Sequence, residues 1–407
     1  MLQVSISVVL DEFSSAILAS LDPKYRNYMN GNGRIVVKLL KALYGCVESA
    51  LLWYEHLSNS LLTLGFVRNR LDECVFNRGT GENQCTICVH VDDLMITCKD
   101  KEVIKGVTKD LQRIYKEVKV KEADVHSYLG MNFDFRVKGE VKITMEGYVH
   151  DLLKTYSVEG NANTPAQDFL FEIREDIPLL DHDRKTEFHS RVAKLLYVAK
   201  RVRPDILQAV IFLSTRVQNP TDDDWSKLDR CLKYLNSEPE LGIILRPNPQ
   251  EMRINAYVDA SYGVHADGKS HTGVMIALGD GPIYIKSTKQ KIVSKSSTEA
   301  ELIGLSDACS QIIWCREFLI EQGYDVSAAK VYQDNKSTMA LVKKGKGSSD
   351  RTKHINIRYF FVKDRVESGD IQIEYLPTGE MIADVLTKPL QGEPFRNMRK
   401  QLLNWYY

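Results

Sequence analysis

Residues 89–97 of the chain read VHVDDLMIT, and this stretch decides how the first part of the chain folds. The apolar residues on either side of Asp92 and Asp93 predict two short, buried β-strands joined by a tight connection. Two carboxylates at the connection of a buried hairpin are costly unless they face solvent or bind cations. We therefore interpret the pair either as an ordinary turn or as a divalent-metal site for phosphoryl transfer.

The elements predicted around this hairpin mix strands with helices. In the first part of the chain we expect strands over 1–9, 74–77, 85–91, 94–97 and 141–145 and helices over 49–64 and 102–116. Helices near 187–201, 205–217 and 222–236 follow, the last with Thr221 as its N-cap. After three prolines the pattern restarts, with strands over 253–258, 272–278, 282–287, 329–333 and 371–376 and helices over 298–322, 336–344 and 380–386. This order predicts a multidomain fold of the α+β and α/β classes.

Composition excludes several classes of protein. The 407 residues hold 54 basic and 54 acidic side chains, so the chain is neither a strongly basic nucleic-acid binder nor a highly charged disordered protein. Its eight cysteines are too sparse for a disulfide scaffold and indicate a reducing, intracellular setting. No apolar run approaches the roughly 20 residues that span a bilayer, and the start lacks a signal peptide's basic region. We therefore expect an intracellular protein that is neither secreted nor bound to a membrane.

Four carboxylates in the last third of the chain form a second candidate site. Asp259 and Asp334 end predicted strands, whereas Glu301 and Asp384 lie on predicted helices. Such a cluster repels itself unless divalent cations occupy it, which is what two-metal phosphodiester hydrolysis requires. Glu299 competes with Glu301 for the second position, and on a helix the two point about 200° apart, so only one faces the metals.

Basic residues gather in the same part of the chain. They form two clusters: Lys286, Lys289, Lys291 and Lys295, then Lys343, Lys344, Lys346, Arg351, Lys353 and Arg358. They are interpreted either as solvated loops or as phosphate contacts, with binding that weakens as salt rises. Local clusters of this kind leave room for a nucleic-acid partner in a chain whose net charge is zero.

Several blocks resemble one known family. Residues 41–50, KALYGCVESA, with Trp53 and Tyr54 resemble the Leu-Tyr-Gly…Trp-Tyr block of copia-type LTR retrotransposon Pol polyproteins, in their reverse transcriptase. The spacing to Val91-Asp92-Asp93 fits that family, and residues 128–131 (YLGM) resemble its primer-grip hairpin. Residues 195–197, 203–205 and 213–216 resemble the segment that follows the polymerase core. The chain departs from the family pattern at His90 and at residues 48–50.

This resemblance implies a fold and a domain order. We expect a partial right-hand polymerase palm over 1–160, a helical thumb or connection over 161–250, a ribonuclease H-like mixed sheet with flanking helices over 251–392, and a tail over 393–407. In the palm, Asp92 is the expected direct metal ligand and Asp93 its partner. Gly45 is where the backbone could lie close to template or nucleotide, since it has no Cβ. Tyr44 would lie near the nucleotide or in the core.

For the last third, the resemblance implies the Asp-Glu-Asp-Asp site of ribonuclease H, formed by Asp259, Glu301, Asp334 and Asp384. The implied cofactor is Mg²⁺ or Mn²⁺, two ions per complete site. The implied partners are RNA–DNA hybrid and primer–template nucleic acid, recognised by backbone and groove shape, and a dNTP if the polymerase site is complete. His354 would assist product release or proton transfer, or else hold structure or contact phosphate. Residues 388–390 resemble the family's terminal block and are expected to cap the domain.

The polymerase site is expected to be incomplete. Reverse transcriptases of this type use three aspartates, the first in a strand-to-helix block that Asp11 and its neighbours match poorly. The chain is therefore expected to begin just after that block, which makes it an incompetent polymerase with a complete ribonuclease H site. The alternatives are a non-catalytic nucleic-acid-binding remnant and an integrase-type nuclease, in which the Leu-Tyr-Gly and Val-Asp-Asp blocks have no place.

Overall fold

The computed structural model describes residues 7–39, 43, 45–246, 248, 252–344 and 353–406, with the side chains of Val47 and of residues 353–356 excepted. The chain divides into two compact units, Met1–Lys119 and Val120–Tyr407. The domain boundaries expected at 160, 250 and 392 all fall inside the second unit and stay predictions.

The first unit combines antiparallel strands with three α-helices among its described residues. Its elements in chain order are β1 (Ser7–Val9), α1 (Glu12–Leu21), β2 (Val36–Lys38), α2 (Val47–Thr63), β3 (Val67–Arg68), β4 (Val75–Arg78), β5 (Cys85–His90), β6 (Asp93–Thr97) and α3 (Lys101–Tyr115). Strands β1 and β2 pair with each other, and β3 to β6 form an antiparallel sheet in sequence order. The predicted hairpin is thus confirmed as β5 and β6.

The core of the first unit explains why its helices form. Leu57 and Leu61 lie one turn apart on α2, and Val107 and Leu111 do the same on α3, so each helix turns one apolar stripe inward. Both stripes pack with alternate residues of β5, of which Ile87 is fully buried. This packing fixes the β5–β6 hairpin against α2 and α3.

The second unit contains two sheets and most of the helices. Its elements are β7 (Val125–Tyr128), β8 (Met131–Asp134), β9 (Val141–Thr144), α4 (Glu146–Thr155), α5 (His182–Ala199), α6 (Leu207–Ser214), α7 (Asp222–Ser237), β10 (Ile243–Leu245), β11 (Ile254–Ser261), β12 (His271–Leu278), β13 (Pro282–Lys289), α8 (Ser297–Glu321), β14 (Ala329–Gln333), α9 (Lys336–Lys344), α10 (Lys353–Glu367), β15 (Ile371–Tyr375) and α11 (Gly392–Leu403). The small sheet has the order β10-β9-β8-β7, and the large one β13-β12-β11-β14-β15. In the large sheet β11, β12 and β13 are antiparallel, and β14 and β15 run parallel to β11.

The large sheet is covered on both faces. Val274 and Ile276 of β12 belong to the core with α8 and α10, whereas Met275 and Ala277 join a second core built with α5, α6, α7 and α11. Successive side chains of a strand point to opposite faces, so one strand supplies both cores. The mixed α+β, multidomain fold class is thereby confirmed.

Some predicted elements differ in the structure. The helix expected over 380–386 is replaced by two 3₁₀ turns, Thr378–Glu380 and Ile382–Leu386, because Met381 between them is extended (φ −73°, ψ 94°). The expected tail contains α11, whose Phe395 and Leu402 are buried. The predicted N-cap is confirmed: Thr221 and Asp224 form a reciprocal capping box on α7, a device that stabilises a helix by about 1 kcal/mol.

Candidate metal centres

Three aspartates of the second unit converge at one edge of the large sheet. Asp259 lies near the end of β11, Asp334 directly follows β14, and Asp384 lies in the 3₁₀ turn Ile382–Leu386. Because β11 and β14 are parallel neighbours, both strands end on the same side. One carboxylate oxygen of each aspartate lies within 4.8 Å of the others. Asp259 and Asp384 are buried and Asp334 is half-buried, so the cluster opens on the side of Asp334.

Glu301 adjoins this cluster from α8. Its Oε2 accepts a hydrogen bond of 3.0 Å from Nε2 of Gln333, which also donates to the carbonyl of Val258 at 3.1 Å. One amide thus ties the glutamate to the two strands that carry Asp259 and Asp334. Burial, with the negative charges of Asp259 and Asp334, raises the pKa of Glu301 to about 9.

Glu299 has a different place. Its Oε2 accepts a hydrogen bond of 2.9 Å from the backbone N–H of Lys295, and its own N–H donates to the N-cap hydroxyl of Ser296. These bonds close the first turn of α8, where four backbone donors need partners. The geometry therefore favours Glu301 as the glutamate of the cluster and Glu299 as a capping residue.

The electrostatics of the cluster fit divalent cations. Burial, together with the negative charge of Asp259, raises the pKa of Asp384 to about 7 against the opposing effect of Lys388. Burial also raises the pKa of Asp259, against the opposing effect of Lys388. Buried carboxylates this close must hold protons or a cation. Four carboxylates without nitrogen or sulfur donors form the oxygen-rich set that Mg²⁺ or Mn²⁺ prefers, so the residues present fit the implied metals.

Thr387 and Lys388 belong to the site, although the sequence pointed only to a capping role for Lys388. The hydroxyl of Thr387 donates to Oδ2 of Asp259. Nζ of Lys388 lies 2.7 Å from Oδ1 of Asp384 and 3.6 Å from Oδ1 of Asp259. Partial burial lowers the pKa of Lys388, but the two carboxylates raise it on balance. Thr387 and Lys388 follow Asp384 by three and four residues, about one helical turn, and this spacing is the sequence signal that could have placed them in the site.

A buried hydrogen-bond chain supports the 3₁₀ turn that carries Asp384. The hydroxyl of Ser287 donates to the carbonyl of Leu386 at 2.8 Å and lies 2.7 Å from Nε2 of His271. Since the single hydroxyl proton goes to the carbonyl, His271 must donate through Nε2. Its Nδ1, 3.0 Å from Nε2 of His265, must therefore accept. Burial lowers the pKa of His265 to about 4 and of His271 to about 3, so both rings are neutral.

The hairpin of the first unit carries its two aspartates at the turn. His90 pairs with Asp93, so Val91 and Asp92 form the two-residue connection, and both aspartates are exposed. Val91 has φ +55°, a left-handed conformation that is rare for a β-branched residue. The structure thus shows the turn, and a turn of this kind leaves both carboxylates free to bind a metal.

Other residues predicted for the first unit have clear positions. Asp11 is the N-cap of α1, and its Oδ1 accepts a hydrogen bond of 2.7 Å from the backbone N–H of Ser14. Gly45 has φ +95° with open space where a Cβ would lie, so its glycine is required by the backbone conformation. Tyr44 lies outside the described residues.

The basic residues divide into paired and unpaired positions. Lys289 forms an ion pair of 2.8 Å with Asp267, and Arg358 pairs with Asp307. The remaining described lysines, partly or fully exposed, are Lys286, Lys291, Lys295, Lys343 and Lys344. Lys286 lines a groove of about 410 Å³ with Lys200 and Arg201, which were not predicted. Lys346 and Arg351 lie outside the described residues, as do the side chains of Lys353 and His354.

Comparison with known proteins gives matches across the chain. Residues 20–167 match the family model described as reverse transcriptase (RNA-dependent DNA polymerase). The Pol polyprotein from transposon RE2 of Arabidopsis thaliana is 34% identical over 373 residues, covering 90% of this chain and 25% of the polyprotein. The one from transposon TNT 1-94 of Nicotiana tabacum is 28% identical over 374 residues, covering 90% of this chain and 28% of the polyprotein. The chain therefore spans about a quarter of the length of these relatives.

Solved structures show more distant likenesses. The foamy viral protease-reverse transcriptase in complex with RNA/DNA hybrid is 13% identical, with 86% of this chain and 40% of that chain covered and a TM-score of 0.48. The LC11-RNase H1 from compost is 19% identical, with 33% of this chain and 93% of that chain covered and a TM-score of 0.27. The family assignment rests on the sequence matches. The chain belongs to the copia-type retrotransposon Pol polyprotein family, of which it carries the region around the reverse transcriptase.

Proposed function

We propose that the second unit is a ribonuclease H that hydrolyses the RNA strand of RNA–DNA hybrids. The observation that carries this proposal is the convergence of Asp259, Asp334 and Asp384 within 4.8 Å, with Glu301 held beside them by Gln333. The proposed metal ligands are these four carboxylates, and the proposed cofactors are two Mg²⁺ or Mn²⁺ ions. When bound, such ions would supply an activated water and neutralise the leaving oxygen.

The chain's own residues then have distinct tasks. Asp259 and Asp384 form the buried floor of the site, and Thr387 fixes the orientation of the Asp259 carboxylate. Gln333 holds Glu301 in one position through its bonds to Oε2 and to the carbonyl of Val258. Asp334 lies at the open side and accepts a hydrogen bond of 2.7 Å from Thr378. A phosphodiester would therefore approach from the side of Asp334, where water and substrate have access.

Hydrolysis of a labelled RNA–DNA hybrid by the full chain tests this function. Asp259→Asn and Glu301→Gln should each lower the rate about 100-fold or more, because the ions contribute several kcal/mol to the transition state. Glu299→Gln is the matched control and should keep most of the rate. Loss of hydrolysis with Glu299→Gln but not with Glu301→Gln would overturn the assignment. Hybrid binding without metal-dependent hydrolysis would favour the non-catalytic remnant.

For the first unit we propose a metal-binding hairpin of an RNA-directed DNA polymerase, with Asp92 and Asp93 as its ligands. The reverse-transcriptase match over residues 20–167 includes this hairpin. Among the described residues of the unit, no third carboxylate joins the pair in a metal-binding group. Two exposed carboxylates hold Mg²⁺ weakly, so we expect little primer extension with dNTPs on a primer–template. Robust extension that Asp92→Ala abolishes and Asp11→Ala does not would contradict this expectation.

No helix in the described part of the chain is both long and apolar enough to cross a membrane. We propose nucleic acid as the partner of both units. The exposed lysines of the second unit are the proposed contacts to the hybrid: Lys286, Lys291, Lys295, Lys343 and Lys344. For Lys346, Lys353 and His354 the proposed contact rests on the sequence alone, and Arg358 and Lys289 would contact phosphate only after leaving their carboxylate partners.

A further inference from the structure

We propose that the ammonium group of Lys388 occupies the position between Asp259 and Asp384 that a divalent ion takes, so that lysine and metal exclude each other. This inference rests on the proposed function, since it assumes that the cluster binds metal. It adds a residue that sets how tightly the metal is held.

The contacts of Lys388 resemble those of a bound cation. Its Nζ lies 2.7 Å from Oδ1 of Asp384 and 3.6 Å from Oδ1 of Asp259, which bridges the two buried carboxylates. The second oxygen of Asp259, Oδ2, accepts the hydroxyl proton of Thr387. Both oxygens of Asp259 therefore have a protein partner, and a metal that binds Oδ1 must replace the ammonium.

The lysine has a place to which it can move. Its side chain is 36% exposed, and a lysine stem is long and flexible. Lys388 also lines a cavity of about 400 Å³ together with Asp168, Glu172 and His265. The two acidic side chains of this cavity offer the displaced ammonium a second set of carboxylates. Metal binding would therefore replace the ammonium at Asp259, and Lys388 would move into the cavity.

The charge balance gives the direction of the effect. An ammonium within hydrogen-bond distance neutralises part of the cluster and opposes a second cation at the same oxygens. Removing it while keeping the bulk of the side chain should strengthen metal binding. Replacing the ammonium by the guanidinium of arginine keeps the positive charge and should not strengthen metal binding.

Titration calorimetry of Mg²⁺ into the full chain tests the proposal, with Asp92→Asn and Asp93→Asn in every sample so that only the second unit is measured. Lys388→Met should bind Mg²⁺ about tenfold more tightly or better, whereas Lys388→Arg should not bind it more tightly. Lys233→Met, which removes an ammonium 2.7 Å from Asp229 on α7, is the matched control and should leave the affinity unchanged. Unchanged or weaker Mg²⁺ binding by a folded Lys388→Met variant overturns the proposal.

A second variant tests the proposal even if Lys388→Met does not fold. Asp168→Asn with Glu172→Gln removes the carboxylates that receive the ammonium and should weaken Mg²⁺ binding several-fold, and an unchanged affinity contradicts the exchange. Both titrations are done without nucleic acid. A chain that binds Mg²⁺ as expected but does not cleave hybrid would therefore sink the proposed function alone. A chain that cleaves hybrid while Lys388→Met leaves its Mg²⁺ affinity unchanged would sink this inference alone.

Discussion

The indole N–H of Trp53 donates a hydrogen bond of 2.7 Å to the backbone carbonyl of Val91. Trp53 comes from the Leu-Tyr-Gly…Trp-Tyr block and Val91 from the Val-Asp-Asp block, which lie 38 residues apart in the sequence. One bond therefore joins α2 to the turn that presents Asp92. It also helps hold Val91 in its left-handed conformation, in which a β-branched residue is strained.

Val91→Gly should stabilise the first unit. A left-handed residue with a Cβ costs roughly 1–2 kcal/mol, which Val91→Gly would remove. The greater flexibility of glycine in the unfolded chain offsets roughly 0.5–1 kcal/mol of this gain. We expect a net gain of about 0.5–1 kcal/mol in urea unfolding. Val67→Gly is the control, because Val67 is similarly exposed but lies in β3 without a positive φ, and it should destabilise. The strain argument fails if both variants lose stability equally.

Gly273→Ala should disturb the carboxylate cluster. A Cβ at this position of β12 would lie 2.8 Å from the carbonyl oxygen of Ala383, with two further atoms of the 382–387 segment as close. We expect a loss of about 1–3 kcal/mol in unfolding free energy, together with weaker Mg²⁺ binding. Gly379→Ala, with nothing within 4 Å of its Cβ, should be nearly neutral. Equal behaviour of the two alanine variants would exclude close packing as the role of Gly273.

Asp205→Asn should strongly destabilise the second unit. Arg203 and Asp205 form a fully buried ion pair of 2.8 Å, and Tyr234 donates to the same carboxylate at 2.6 Å. Neutralising one partner leaves a buried charge without compensation, which costs about 3–5 kcal/mol. Asp229→Asn breaks the half-exposed pair with Lys233 on α7 and should cost about 0.5 kcal/mol in the same urea titration. Comparable losses in the two variants would argue against the burial effect.

The buried histidine pair should make the second unit sensitive to acid. Folding lowers the pKa of His265 to about 4 from an ordinary 6.5. The unfolded chain therefore binds the proton first, so this contribution is complete above pH 6.5 and is lost as the pH falls towards 4. The slope reaches about 1.4 kcal/mol per pH unit for one histidine. His265→Phe should flatten the stability profile measured between these pH values, whereas substitution of the exposed His150 by Leu should leave it as steep as before.

Lysines without acidic partners should dominate binding to the hybrid. Lys291→Ala with Lys295→Ala removes two exposed ammonium groups, and the negative slope of log affinity against log salt should become shallower by about 2. Lys289→Ala should change it less, because Asp267 already neutralises that group. Fluorescence anisotropy with a labelled hybrid at several salt concentrations measures both slopes. A larger effect from Lys289 would assign the phosphate contact to the paired lysine.

Local sequence patterns predicted much of this architecture, but they could not predict its long-range contacts. The β5–β6 hairpin and the strand ends at Asp259 and Asp334 follow from apolar periodicity and from polar residues at strand ends. The role of Thr387 depends on a partner 128 residues away, which no local pattern reveals. The turn at Ile382–Leu386 packs closely against β12 at Gly273, a contact distant in the sequence that apolar periodicity could not predict. The apolar spacing of Phe395, Met398 and Leu402 is the local sequence signal from which α11 could have been predicted.

The strand β12 divides its side chains between two cores, and this limits how the polypeptide can be shortened. Met275 and Ala277 pack with residues of α5, α6 and α7, which precede the large sheet by many positions. A fragment that began with β11 would leave that face of the sheet in water and would be prone to aggregate. The carboxylate cluster and the helices before it therefore form one folding unit, and a deletion that removes either would take away the packing that supports the other.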